Sequence, residues 1–266
     1  MLQREVFPKY REYSKALDNA YDYIKSCYKE DSIEDLCKYR GYVEGRQAEV
    51  LKQLGVGYCE LDSTQLVDYP SELHLLTKNM DFLLNFRFII PVYDIAGNLV
   101  SLIGYYPDKK KYITLPTPFF SKSCIFFNFK QAYELSWGSY DGFVILVEGI
   151  FDCLSLRSIN LPAIATMGSS VSAIKGELLK LFKKVIAIPD DDVTGRRALD
   201  RYSKTGWKVP SNTTFIKFDG GYLNINGVDL HCKDMDNFVS WYDEDDVREV
   251  LLSYRDSKEE IEELKL

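Results

Sequence analysis

The chain has 266 residues, nearly half of them apolar, enough to bury one large core or two small ones. Its net charge of −7 argues against a uniformly basic nucleic-acid-binding surface, although charge acts locally. No apolar stretch is long enough for a signal peptide or a membrane span, so a cytoplasmic protein is expected. The six cysteines contain no C-x-x-C pair and there are only two histidines, so no zinc finger or ribbon is expected. Adjacent His231 and Cys232 have nothing nearby in sequence to complete a tetrahedral set.

Residues 1–57 read as a helical entry segment. Apolar and aromatic residues recur at helical spacing from Tyr10 to Tyr28, Asp31 or Ser32 is placed to cap a second helix, and Gly55 stops a third. The tyrosines of this stretch read as packing residues. Residues 58–140 read as a basic, β-rich subdomain. Its clearest part is Phe86–Tyr106, two strand patterns around a turn at Ile95–Asn98, followed by the lysines 109–111.

From residue 141 to 242 short apolar runs alternate with helical patterns: FVILV, FDCLSLRS, PAIAT, SAIKGELLKLF, VIAI, TGRRALDRY and TTFIKF. Such alternation implies βαβ units and a parallel sheet. Residues 243–266 read as an amphipathic helix with one charged face.

Two of the strands run into acids. FVILV ends at Glu148 in the pattern E-G-x-x-D, with Gly149 and Asp152; VIAI is followed by D-x-D-x-x-G, with Asp190, Asp192 and Gly195. In open α/β sheets ligands bind outside the carboxyl ends of the strands. Carboxylates converging there form a hard-oxygen site suited to Mg2+ or Mn2+, and so to metal-dependent phosphate chemistry. Asp190 and Asp192 stand at alternate positions and share a side, while Asp191 faces away. Glu148 is either a further ligand or the general base. Gly149 permits close backbone approach to a phosphate, and Asp152 also suits the first turn of a helix. Arg196 follows Gly195 at a helix start, a position suited to phosphate contact.

Over roughly residues 33–240 the chain resembles the catalytic core of DnaG-type bacterial and phage primases, in which a TOPRIM domain follows a basic β-rich domain. The resemblance rests on Glu148 to Asp152, Gly168 in ATMGSS, Asp190 and Asp192 in PDDDVTGRRA, and KDMDNFV from Lys233. It also rests on NFRFIIPVYDIAGNLVSLIG and KKYITLPTPFFSKS upstream. It departs from the family where a glycine-glycine-arginine is replaced by IGYY, and where the proline of the K-D-P-D pattern is Met235.

The resemblance implies an α/β fold, α+β overall, with a Rossmann-like TOPRIM sheet, and synthesis of short RNA primers on a single-stranded DNA template in DNA replication, expected of a phage. Glu148, Asp190 and Asp192 are then catalytic and hold Mg2+ or Mn2+, joined as ligands by Asp234 and Asp236. Arg87, Lys111, Lys122, Gly149, Asp152, Gly168, Gly195 and Arg196 are expected to contact ribonucleoside triphosphate or template. A helicase, a single-strand-binding protein or a separate zinc module is the expected partner; the helix from about residue 244 is either its docking element or packed onto its own domain. Competing readings are another TOPRIM phosphodiester enzyme such as a nuclease, or a catalytically weak replisome adaptor that binds single-stranded DNA.

Overall fold

The computed structural model describes residues 3–42, 45–116, 119–168, 170–190, 210–216, 218–219, 222–225, 228–232 and 234–256. The chain forms two compact units, Met1–Ser121 and Lys122–Leu266.

The first unit begins with α1 (Gln3–Ser26), α2 (Ser32–Arg40) and α3 (Gly45–Leu54). Along α1, Tyr13, Leu17, Ala20, Tyr21 and Ile24 recur at helical spacing and are buried in one cluster with Ile89, Leu99 and Leu102. The tyrosine stripe is therefore core, as its spacing implied. Gly55 ends α3 in a left-handed conformation (φ +81°), and Val56 N–H returns to Leu51 O. Tyr21 Oη donates to the Gly55 carbonyl at 2.6 Å, and a Cβ at Gly55 would lie 2.5 Å from Tyr21 Oη. The expected cap of α2 is not formed by either side chain. Asp31 makes no side-chain capping bond, and Ser32 Oγ instead accepts from Tyr58 N–H at 3.2 Å. The nearby strand competes successfully for the hydroxyl.

Four antiparallel strands complete this unit: β1 (Gly57–Cys59), β2 (Arg87–Tyr93), β3 (Leu99–Tyr106) and β4 (Lys111–Thr114), in that spatial order. Pro91 lies within β2, but β1 pairs only with residues 87–89, so no ladder bond from β1 is lost at the proline. The expected turn between β2 and β3 is held by Asp94. Its Oδ1 accepts from Ala96 N–H (2.9 Å) and Asn98 N–H (2.8 Å), and Gly97 takes φ +88°.

The second unit contains α4 (Phe129–Ser139), β5 (Phe143–Val147), α5 (Ile150–Ser158), β6 (Ala163–Ala165), α6 (Ala173–Leu179), β7 (Lys184–Ile188) and β8 (Thr213–Phe215). The four strands form a parallel sheet ordered β6-β5-β7-β8. Every residue of β5 and β6 is buried, which is why their sequences read as unbroken apolar runs rather than alternating ones. The unit starts earlier than the sequence boundary at residue 140. Phe126, Phe129 and Ala132 are buried with Val144, Ile164 and Val185, so α4 and the segment before it belong to this core.

A small antiparallel sheet follows: β9 (Phe218–Asp219), β10 (Tyr222–Ile225) and β11 (Val228–His231). The sequence reading did not anticipate it. The helix expected over TGRRALDRY lies outside the described residues. Helices α7 (Met235–Trp241) and α8 (Glu244–Asp256) complete the unit.

Of the two readings of the last helix, a docking element or a helix packed onto its own domain, α8 takes the second. Val247 and Leu251 are fully buried, and Arg248 Nε donates to the Ile159 carbonyl at 2.7 Å, so its apolar stripe is spent on its own unit. Among the described residues no helix is long and apolar enough to cross a membrane. Leu251→Ala is expected to destabilise the protein by about 2–5 kcal/mol. Denaturant unfolding checks this, and a loss within error of zero would mean that α8 is not part of the core.

Candidate metal and nucleotide centre

The strand order decides where a site can form. From β5 the chain crosses to β6 on one side, then back across to β7 on the other, so the sheet has its topological switch point between β5 and β7. Val147 and Ile188 are paired across these neighbouring strands. Glu148 follows the first directly, and Asp190 follows the second after Pro189; both are half-buried. The two acids picked from sequence thus leave adjacent strands at the edge where an α/β fold binds ligands.

Two further acids are built into the scaffold behind them. Asp152, in the first turn of α5, is buried, and its Oδ1 accepts from the Asp236 N–H at 2.9 Å. Its carboxylate folds back over Gly149, where a Cβ would stand only 2.1 Å from Asp152 Oδ2. Glycine at 149 is therefore required by this carboxylate's position, in addition to any approach of a phosphate. Asp236 is likewise buried and receives a 2.5 Å hydrogen bond from Ser155 Oγ. Asp234 caps α7 through Asn237 N–H, 2.8 Å. Asp152 and Asp236 thus tie the start of α7 to α5.

Burial, then the charges of Asp190, Asp234 and Asp236, push the Asp152 carboxyl well above the usual carboxylate range; the bond from Asp236 N–H opposes them. Asp152 therefore senses three other carboxyl groups at this edge. Among the described residues no three of the His, Cys, Asp and Glu side chains are gathered tightly enough to hold an ion by themselves. Asp192, Gly195 and Arg196 lie outside the described residues.

The turn after β6 backs the centre. Thr166 N–H donates to Val147 O (2.9 Å) and Met167 N–H to Glu148 O (3.1 Å), while Thr166 Oγ1 bridges towards Glu148 O and Gly168 O. A Cβ at Gly168 would meet nothing within 4 Å, so the space before this glycine is open. Sequence reading missed Ser155, Thr166 and Lys175, whose partners are supplied by distant parts of the chain.

The expected cationic contacts have different environments. Lys111 is exposed at the start of β4. Lys122 is exposed as a residue, yet its ammonium is enclosed enough for desolvation to lower its pKa. Arg87 is committed locally: Nη1 donates to Asn85 O at 2.6 Å, and its Cδ lies 2.7 Å from where a Gly104 Cβ would stand. Gly104, the glycine of IGYY, thus makes room for this arginine stem. His231 stacks on Trp241 (5.9 Å between centroids, 4° between planes) and meets Tyr222 edge-on, whereas Cys232 is buried.

A Toprim-like family profile matches residues 145–239, which span β5 to α7 and all the acids above. DNA primase of Aquifex aeolicus is 32% identical over 219 residues, 74% of this chain and 42% of that protein. DNA primase of Thermotoga maritima is 28% identical over 219 residues, 74% of this chain and 37% of that protein. The chain therefore spans about two fifths of the length of these relatives. A solved DnaG primase catalytic domain bound to single-stranded DNA superposes with a TM-score of 0.68 at 18% identity, covering 91% of this chain and 80% of that one. The chain carries a Toprim-like domain and has the fold of a DnaG-type primase catalytic core, as the sequence resemblance implied.

The carboxyl crowding predicts a pH signature. A carboxyl whose folded pKa is raised binds its proton more tightly in the folded state. Its contribution to stability is complete below the ordinary value of 3.8 and is lost as pH rises through the folded value. Without divalent cations, the wild type is expected to lose stability on this account as pH rises above 3.8, and Asp152→Asn to lose less. Unfolding midpoints across pH in chelator check this; parallel profiles would contradict it.

Proposed function

We propose that this chain is a primase catalytic core that joins ribonucleotides on a single-stranded DNA template during DNA replication. The observation that carries the reading is the exit of Glu148 and Asp190 from adjacent parallel strands at the switch point of the sheet, within the Toprim-like region. The similarity to the DNA primases of Thermotoga maritima and Aquifex aeolicus supports it. So does the fold shared with a catalytic domain captured on single-stranded DNA.

The donor set suits a hard divalent cation, because it consists of carboxylate oxygens, and Asp190, Asp234 and Asp236 all lie close enough to act on Asp152. Magnesium or manganese held by Glu148, Asp190 and Asp192, with Asp234 and Asp236, would lower the pKa of the attacking 3′-hydroxyl and offset charge on the transferred phosphoryl group. Glu148 is a ligand or accepts the hydroxyl proton. Gly149 and the open face of Gly168 allow the backbone to approach phosphate. Lys111, Lys122, Arg87 and Arg196 offset phosphate charge on template or nucleotide, with Gly195 ahead of the last. Asp152 acts by fixing the start of α7 and with it Asp234 and Asp236. Placement on the template by a helicase, a single-strand-binding protein or a separate zinc module fits this role.

The test is template-dependent incorporation of ribonucleotides with Mg2+ or Mn2+. Short RNA products support the reading, whereas cleavage of the DNA without incorporation favours a nuclease. Glu148→Gln and Asp192→Asn are each expected to abolish synthesis with the fold intact, while Asp191→Asn is mild. Equal loss in all three would contradict the alternation of sides along the chain at these positions.

Lys111→Ala and Lys122→Ala are each expected to weaken template binding and reduce its log–log salt slope by about 1, the share of one phosphate contact. Binding measured across salt concentrations reads this. An unchanged slope in both would make these lysines ordinary surface.

A further inference from the structure

Lys175 stands in the first turn of α6, with its backbone N–H bonded to the Ser172 Oγ cap at 3.2 Å. Its side chain is fully buried, where an aliphatic residue would normally cost less, since an ammonium withdrawn from water must be repaid by close partners. The partners are specific. Nζ donates to the Thr166 carbonyl at 2.6 Å and lies 5.0 Å from the centre of the Phe126 ring. Thr166 opens the turn that runs beneath Glu148, and Met167 within that turn holds a left-handed backbone (φ +57°), a conformation that persists for such a residue only under constraint from its surroundings. The Met167 N–H is bonded to the Glu148 carbonyl.

We infer that Lys175 is a positioning residue for the candidate centre: its ammonium clamps the Thr166–Gly168 turn, and the turn fixes the backbone of Glu148. The inference rests on the reading of Glu148 as part of the catalytic centre. Lys175 itself touches neither the acids nor the open space before Gly168 in any bond described above; it acts through the turn. Burial, with the Lys122 ammonium nearby, lowers its pKa to about 8 against the opposing influence of the Cys124 thiol. The side chain therefore remains mainly charged at neutral pH, and a charge-assisted bond to a carbonyl is a strong one.

The test uses the full chain as Lys175→Met, which removes the donor, and Lys175→Gln, which keeps an N–H without charge. Amide hydrogen exchange at Met167 is expected to quicken by roughly tenfold or more in Lys175→Met, the weight of a hydrogen bond from a charged donor. Amides of β5 and β7 should keep wild-type protection. In template-dependent incorporation, kcat is expected to fall by about tenfold with KM for nucleotide little changed, and Lys175→Gln to recover part of both.

Wild-type exchange at Met167 in folded Lys175→Met would overturn the inference. If that variant fails to fold, Lys175→Gln decides, since Met167 protection equal to wild type there would overturn it as well. If the wild type incorporates no ribonucleotide, the functional reading fails, while the exchange at Met167 still decides whether Lys175 holds the turn.

Discussion

Carboxyl groups gathered at one edge of a sheet that cannot yield are the constraint on which the second unit turns. Burial, and after it the charges of Asp190, Asp234 and Asp236, raise the Asp152 carboxyl. Like charges so arranged separate unless the backbone beneath them is fixed. Here β5 and β7 are almost wholly buried and run in parallel register, so the exits of Glu148 and Asp190 are set by core packing rather than by their own charges. Specific hydrogen bonds hold the remaining acids: Ser155 on Asp236, the Asp236 amide on Asp152, and the Asn237 amide on Asp234. Carboxylate oxygens kept together at one edge in this way are available to a cation, and that is the physical content of the proposed metal chemistry.

The same logic separates residues that meet ligand from those that hold them. Gly149 is glycine because the Asp152 carboxylate occupies the space of its Cβ, whereas Gly168 faces open space. The two glycines of one motif set therefore have different causes. Arg87 is half-buried and already donates to a backbone carbonyl, so a phosphate contact by it has to compete with that bond, whereas Lys111 is exposed at the start of β4.

What could be read in the sequence follows from the range of the forces involved. The strands FVILV and VIAI were legible because a strand covered on both faces is apolar throughout, and the β2–β3 turn because Asp94 and Gly97 act over four residues. The hairpin of β10 and β11 was legible and went unread: Asn226-Gly227 is a hairpin signal, and Leu223-Asn224-Ile225 before it and Val228-Asp229-Leu230-His231 after it alternate between apolar and polar. The placement of α4 with the second unit depends on Phe126 and Phe129 meeting strands further along the chain. Helix α8 shows the limit most clearly. Its amphipathic pattern announces an apolar stripe but carries no information on whether that stripe meets its own domain or another protein. Likewise, the bond from Ser155 to Asp236 joins residues 81 positions apart, and no local pattern encodes it.

The central claim is that the edge formed by Glu148 and Asp190 binds a divalent cation. Its most direct measurement is anomalous scattering from crystals of the protein soaked in Mn2+. The account predicts a manganese peak beside the carboxylates of Glu148 and Asp190 at the ends of β5 and β7. Manganese bound only elsewhere, with this edge left empty at a saturating concentration, would contradict it.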